Sequence, residues 1–96
     1  MSQSFLEQIR SGEIFIADGA TGTNLQQRGL PSGQPGEMFV LQNPQAVEEL
    51  AREFIAAGAQ IILTCTFGGN RIRLRRGGLE EQLERINRQA VEIAQK

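Results

Sequence analysis

Two short apolar runs in the chain predict buried β-strands. The first, Glu13 to Ala17 (EIFIA), is rich in β-branched and aromatic residues and stops at the turn-forming pair Asp18-Gly19. The second, Gln60 to Thr64 (QIILT), is a similar run that begins just after Gly58. A strand is therefore expected at each of these two positions.

Two amphipathic patterns predict the longer helices. At Asn43-Pro44 a capping residue precedes a proline at the first helical position, where the missing N–H of proline costs nothing, and Gly58 is placed to end this helix. Its apolar residues recur at the spacing of one helical face: Val47, Leu50, Ala51, Phe54 and Ile55. The same spacing from Leu79 to Ala94 predicts a second long helix, with Glu80 and Glu81 in its first turn.

The segment between the first strand and the first long helix is less regular. Thr21 to Arg28 predicts a short helix with Leu25 facing inward, although Gly22 weakens it. The stretch from Leu30 to Gly36 (LPSGQPG) is dense in turn-forming residues and predicts a loop.

The resulting order of strand, helix, strand and helix predicts a parallel α/β architecture. Two strands cannot complete such a fold, because a parallel sheet needs more strands and a covering on both faces. We therefore expect residues 1–96 to be the N-terminal part of a larger barrel or open sheet, or a fragment that depends on a partner to fold.

Composition excludes several classes of function. The 96 residues are 40% apolar and 22% charged, an ordinary globular composition, and 10 basic against 11 acidic residues provide no overall field that would attract nucleic acid or an anionic membrane. One cysteine and no histidine cannot form a closed zinc site without ligands from elsewhere. The N-terminus carries no signal-peptide pattern and no apolar run is long enough to cross a bilayer, so we expect a cytoplasmic protein.

The carboxyl ends of parallel strands lie on one side of a sheet, where α/β proteins bind ligands. Asp18-Gly19 and the residues Thr64 to Gly68 (TCTFG) should therefore emerge side by side. Asp18 could bind a cationic ligand group there, or it could be a turn aspartate that bonds its own backbone two residues on.

Other residue patterns leave further chemistry open. The loop D-G-A-T-G-T would suit a phosphate-binding α/β enzyme, although it lacks the lysine of a Walker loop. Cys65 fits a buried small hydrophobe better than a nucleophile, because the chain has no histidine to act as its base. The run of arginines from Arg71 to Arg76 could meet a phosphate or a substrate carboxylate, but it fits a short helix or turn with a solvated basic face better. It also lacks the aromatic residues of a nucleic-acid site.

Three segments together carry a family resemblance. They are IADGATGTNLQQRGLP, NPQAVEELAREFIAAGAQIILTCTFGGNRIRL and GLEEQLERINRQAVEIA, and in this order they resemble the homocysteine S-methyltransferase family. The resemblance implies a (β/α)₈ TIM barrel, of which residues 1–96 would hold the first two βα units. The implied reaction moves a methyl group to the thiol of homocysteine and forms methionine, and the segment alone is expected to be inactive.

The resemblance also implies roles for particular residues. Asp18 should take the homocysteine ammonium, and the Gly19 backbone with the Thr66-Phe67 strand end should complete the pocket for this small-molecule substrate. Zinc should bind homocysteine as a thiolate and so activate its sulfur, and the cysteines that hold the zinc should lie outside this chain. No catalytic or zinc-binding role therefore passes to Cys65. Cobalamin or folate could carry the methyl group. Gly68 stands where some relatives have an aromatic residue that contacts the donor, which argues against betaine, and S-methylmethionine and S-adenosylmethionine remain open as donors.

Overall fold

The computed structural model describes residues 4–75 and 78–95, and this part of the chain is mainly helical. A short 3₁₀ turn, Glu80–Gln82, immediately precedes the last helix. The helices are α1 (Phe5–Arg10), α2 (Thr21–Gln27), α3 (Met38–Gln42), α4 (Pro44–Ala56), α5 (Arg71–Arg75) and α6 (Leu83–Gln95).

Helix α4 begins and ends at the residues that the sequence predicts. The Asn43 side chain accepts a hydrogen bond from the Ala46 N–H at 3.3 Å, which satisfies one of the unpaired donors in the first turn. At the other end Gly58 adopts a φ of 114°, and the Ala59 N–H donates to the Phe54 carbonyl at 2.9 Å. This geometry closes the helix with a Schellman motif, which requires a residue that tolerates positive φ.

The hydrophobic core lies between the helices. Four side chains from four different helices are almost completely enclosed: Leu25, Val40, Leu74 and Ile86. Helix α4 adds Val47 and Leu50, and the Gln89 amide of α6 donates to the Val40 carbonyl of α3 at 2.7 Å. Of the α4 residues predicted to face the core, only Ile55 is exposed, with an exposed fraction of 53%.

The two predicted strands do not form a regular sheet within the described residues. A single parallel bridge joins Ala17 to Ile61, so the parallel orientation is confirmed but the regular strands are not. Both segments also lie largely outside the core, with Ile14 89% and Leu63 71% exposed. The physical reason is that, among the described residues, each extended segment finds only the other as a strand to pair with, and a single pair without further strands does not form a stable sheet.

Three helical segments differ from the sequence-based prediction. Helices α1 and α3 were not predicted, and α6 begins at Leu83 rather than near Leu79. The turn before α6 is tightened by a bond from the Gln82 N–H to the Leu79 carbonyl, the three-residue spacing of a 3₁₀ helix. Short α2 forms as predicted, in spite of Gly22.

Two glycine substitutions test the helix ends. Gly58→Ala should lower the free energy of unfolding of the complete protein by about 1–2 kcal/mol, because alanine is strained at a φ of 114°. Gly22→Ala is the matched control, because an added Cβ at Gly22 has no neighbour within 4 Å and should stabilise α2 by about 0.5 kcal/mol. Urea unfolding measures both, and equal stability of the two variants would contradict the assigned geometry.

Candidate functional site

A cleft opens where the two paired segments end. The Asp18 N–H donates to the Ile61 carbonyl at 2.9 Å, and the Ile61 N–H donates to the Ile16 carbonyl at 3.1 Å. Because the pairing is parallel, the residues that follow each segment lie on the same side, as predicted. They enclose a volume of about 360 Å³ lined by Asp18, Gly19, Ala20, Thr21, Gly22, Gly36, Glu37, Leu63, Thr64, Cys65, Phe67, Gly68 and Arg73.

The Asp18 carboxylate bonds across the cleft floor rather than within its own turn. Its Oδ2 accepts a hydrogen bond from the Leu63 N–H at 3.2 Å, so the alternative of a turn aspartate bonded two residues on is wrong. Within residues 4–75 and 78–95, Oδ1 receives no hydrogen bond from the protein. Asp18 therefore both joins the two segments and presents one free carboxylate oxygen.

The other three predicted site residues occupy different positions around the cleft. Gly19 lines it directly, next to the start of α2. Phe67 also lines it, but its side chain is 96% exposed and does not close the opening. Thr66 lies beside the cleft rather than on its wall, and its hydroxyl is 2.6 Å from that of Thr64. The structure thus brings Asp18, Gly19 and Phe67 together and leaves Thr66 at the margin.

Glu37 is a cleft residue that the sequence did not reveal. It is only 5% exposed, and its Oε2 accepts a hydrogen bond from the Gly68 N–H at 2.9 Å. It follows the turn-rich segment that ends at Gly36, where no motif or spacing distinguishes a functional acid from an ordinary loop residue. Only the fold shows that this acid reaches the residues after the second extended segment.

Cys65 is a buried thiol whose surroundings disfavour the thiolate form. Burial raises its pKa to about 12, and the negative charge of Glu37 acts in the same direction. The thiol is therefore almost entirely protonated at neutral pH, whereas the thiolate is the nucleophile and the metal ligand. This agrees with the interpretation of Cys65 as a small core residue.

The arginine run contributes one residue to the cleft. Arg73 on α5 lines it, while Arg75 forms an ion pair with Glu80 at 2.9 Å and is directed elsewhere. Arg76 and Gly77, which continue the run, lie outside the described residues. The cleft wall therefore carries carboxylates from Asp18 and Glu37 and one guanidinium-bearing residue.

The described part of the chain contains neither a membrane-spanning helix nor a group of metal ligands. None of its helices combines the length and the apolar composition needed to span a bilayer. It also brings together no group of three or more histidine, cysteine, aspartate or glutamate side chains that could hold a metal ion.

The backbone has a close counterpart among solved structures. The crystal structure of the homocysteine methyltransferase MmuM from Escherichia coli, in its metallated form, superimposes with a TM-score of 0.75 over 94% of this chain and 33% of that one, at 24% sequence identity. The two proteins therefore share a fold over the region that they have in common.

Sequence comparison establishes the family. Residues 15–96 match the homocysteine S-methyltransferase family. The chain is 31% identical to betaine–homocysteine S-methyltransferase 1 of Bos taurus over 98% of its own length, and 34% identical to S-methylmethionine–homocysteine S-methyltransferase BHMT2 of Rattus norvegicus over 94%. It spans 24% of the length of each of these relatives. The chain belongs to the homocysteine S-methyltransferase family.

The protonation of Cys65 can be tested by alkylation. At pH 8, iodoacetamide should modify Cys65 of the folded protein at least about a hundredfold more slowly than a cysteine placed at exposed Ser11 by Ser11→Cys, because a pKa of about 12 leaves little thiolate. Mass spectrometry of the two peptides separates the rates, and unfolding in urea should make them similar. Comparable rates in the folded protein would contradict the buried thiol.

Proposed function

We propose that the complete protein transfers a methyl group to the thiol of homocysteine and forms methionine. Membership of the family supports the reaction class. The observation that carries the proposal for this chain is the cleft at the end of the parallel pair, where Asp18 presents a carboxylate oxygen without a protein partner in the described region.

The cleft suits the ammonium end of an amino acid. A hydrogen bond from an ammonium group to a carboxylate contributes about 1.5–3 kcal/mol to the free energy of binding. In this proposal the free Oδ1 of Asp18 accepts that bond, the backbone at Gly19 contacts the substrate, and Thr66 and Phe67 bound the pocket at the end of the second segment. Arg73, which lines the same cleft, is suited to the carboxylate of the amino acid.

The role of this chain in the reaction is to bind and orient the substrate. In methyl transfer, the homocysteine sulfur forms a bond to the methyl carbon as the bond from that carbon to the donor breaks, and the thiol proton is released. The attacking atom belongs to the substrate, so the protonated Cys65 is not required as a nucleophile.

The residues described here do not fit a zinc site by themselves. The chain has no histidine, its single cysteine is buried and protonated at neutral pH, and the described residues form no cluster of three potential ligands. We propose that zinc, if the protein uses it, is held by residues outside this chain, and we assign no step to it. Cobalamin or folate as a methyl carrier also remains a proposal.

The charges of the cleft favour an amino acid over a phosphate ligand. A phosphate bound beside the Asp18 loop would meet the carboxylates of Asp18 and Glu37 and one cationic side chain, Arg73, so the net negative charge of the lining would oppose its binding. The structure therefore supports the phosphate-binding alternative less well. The relatives act with betaine or S-methylmethionine according to their names, and the donor of this protein stays open.

We also propose that further strands of a (β/α)₈ barrel cover the exposed faces of the two extended segments. The large exposed fractions of Ile14 and Leu63 support this, as does the share of about a quarter that the chain spans of its relatives. A cytoplasmic location would keep Cys65 reduced and remains part of the proposal.

Replacement of Asp18 tests the proposed ammonium site. Asp18→Asn keeps an oxygen for the Leu63 N–H but removes the charge, so calorimetry on the complete protein should show homocysteine binding weakened about tenfold or more. Metal content, measured by mass spectrometry, should not change. Glu92→Gln, at an exposed position on α6, is the control and should bind as the wild type does. Loss of metal together with homocysteine would contradict the role given to Asp18.

Hydrogen exchange tests the proposed cover of the extended segments. Amides in residues 13–17 and 60–64 should exchange at least about a hundredfold more slowly in the complete protein than in residues 1–96 alone, because further strands would pair with the open backbone groups. Helix α4, whose hydrogen bonds are internal, serves as the reference peptide. Equal exchange of the two segments in both proteins would rule out such neighbours.

A further inference from the structure

Glu37 is a buried carboxylate with an incomplete set of partners. Its Oε2 is bonded to the Gly68 N–H at 2.9 Å, and the residue is 5% exposed. Across residues 4–75 and 78–95, no donor reaches its Oε1, and this oxygen is not fully enclosed, so a molecule in the cleft can reach it. Because Glu37 lines the cleft, the partner that this oxygen lacks can be provided by a molecule bound there.

Electrostatics make a positively charged partner the suitable one. A largely buried carboxylate interacts more strongly with a cation than one in bulk water does, and the single neutral N–H of Gly68 leaves Oε1 available for such a partner. The basic residues of the described region do not provide the missing charge. Arg28 is paired with Glu53, Arg75 is paired with Glu80, and Arg73 lines the cleft without an ion pair to Glu37.

We propose that Glu37 is a second substrate-binding carboxylate of the cleft, whose Oε1 accepts a hydrogen bond from the ammonium group of the bound amino acid. The proposal rests on the proposed function, because it assumes that the cleft takes an amino acid. A primary ammonium has three N–H donors, and a hydrogen bond to the free oxygen of Asp18 leaves other donors of that group without a partner. Glu37 lines the same cleft and offers a second acceptor.

The hydrogen bond to Gly68 fixes the position of this carboxylate. An added Cβ at Gly68 would lie 2.6 Å from Oε1 of Glu37, closer than such atoms approach, so a side chain at position 68 would displace the acceptor. The absence of a side chain at Gly68 therefore keeps Oε1 in place, and Glu37 and Gly68 act as one unit.

A comparison of two thiols tests the proposal on the complete protein. Homocysteine carries the ammonium group, and 4-mercaptobutanoate has the same thiol, chain and carboxylate without it. Glu37→Gln keeps the size of the side chain and an oxygen for the Gly68 N–H, but removes the charge. By calorimetry we expect this variant to bind homocysteine about tenfold more weakly and 4-mercaptobutanoate as tightly as the wild type. Unchanged 4-mercaptobutanoate binding also shows that the cleft is folded.

A second variant and a control complete the experiment. Gly68→Ala should show the same selective loss, because it displaces Oε1 without removing the charge, and it keeps the test open if Glu37→Gln does not fold. Glu92→Gln, exposed on α6, should change neither affinity.

The outcomes separate the proposal from the function on which it rests. Equal weakening of both thiols in Glu37→Gln and Gly68→Ala would overturn the ammonium role and leave Glu37 as a support for the Gly68 backbone. Unchanged binding of both thiols would overturn it as well. If the wild-type protein binds neither thiol, the proposed function itself fails and the role of Glu37 fails with it. If the wild type binds homocysteine, the proposed function stands whatever the variants do, and the variants decide the role of Glu37 alone.

Discussion

The cleft depends on a small number of hydrogen bonds between two segments that are far apart in the chain. The backbone of Ile16 and Asp18 pairs with that of Gln60 and Ile61, and the Asp18 carboxylate adds a bond to Leu63. Bringing residues more than forty positions apart together costs chain entropy, which so few bonds cannot offset. The helical core between the segments provides the remainder, since α4 delivers Gln60 directly beside Ile16.

The sequence was informative where local interactions determine the structure. Asn43, Pro44 and Gly58 define the ends of α4 through bonds within a few residues of each, so the pattern predicts the element closely. The extended segments differ, because a β-strand is completed by neighbours that these residues do not include. Their apolar pattern predicts that other parts of a fold pack against them, and the structure shows apolar residues of both segments exposed. Helix α3 could not be predicted, because an apolar run such as residues 38–41 (MFVL) has no helical spacing.

The site was predictable to the same extent as the fold. Asp18 and Gly19 could be assigned to the cleft because a turn after a predicted parallel strand has a known position at the sheet edge. Glu37 could not, because its place in the cleft results from the packing of α3 against α4 and α6, which positions the loop before it. Such contacts between distant elements have no local pattern. The roles of Thr66 and Phe67 came from family resemblance and stay predictions.

The arrangement of charge also explains why a cysteine can occupy position 65 without competing in the chemistry. Cys65 lies between the cleft and the core, where burial and the nearby Glu37 carboxylate raise its pKa to about 12. A thiolate there would face the same negative charge that, in our proposal, attracts the ammonium of the substrate. The carboxylate that would favour a cationic ligand therefore disfavours ionisation of the protein's own thiol. Homocysteine carries its thiol on the carbon chain away from its ammonium group, so binding of the ammonium and formation of the nucleophile can be assigned to different parts of one site.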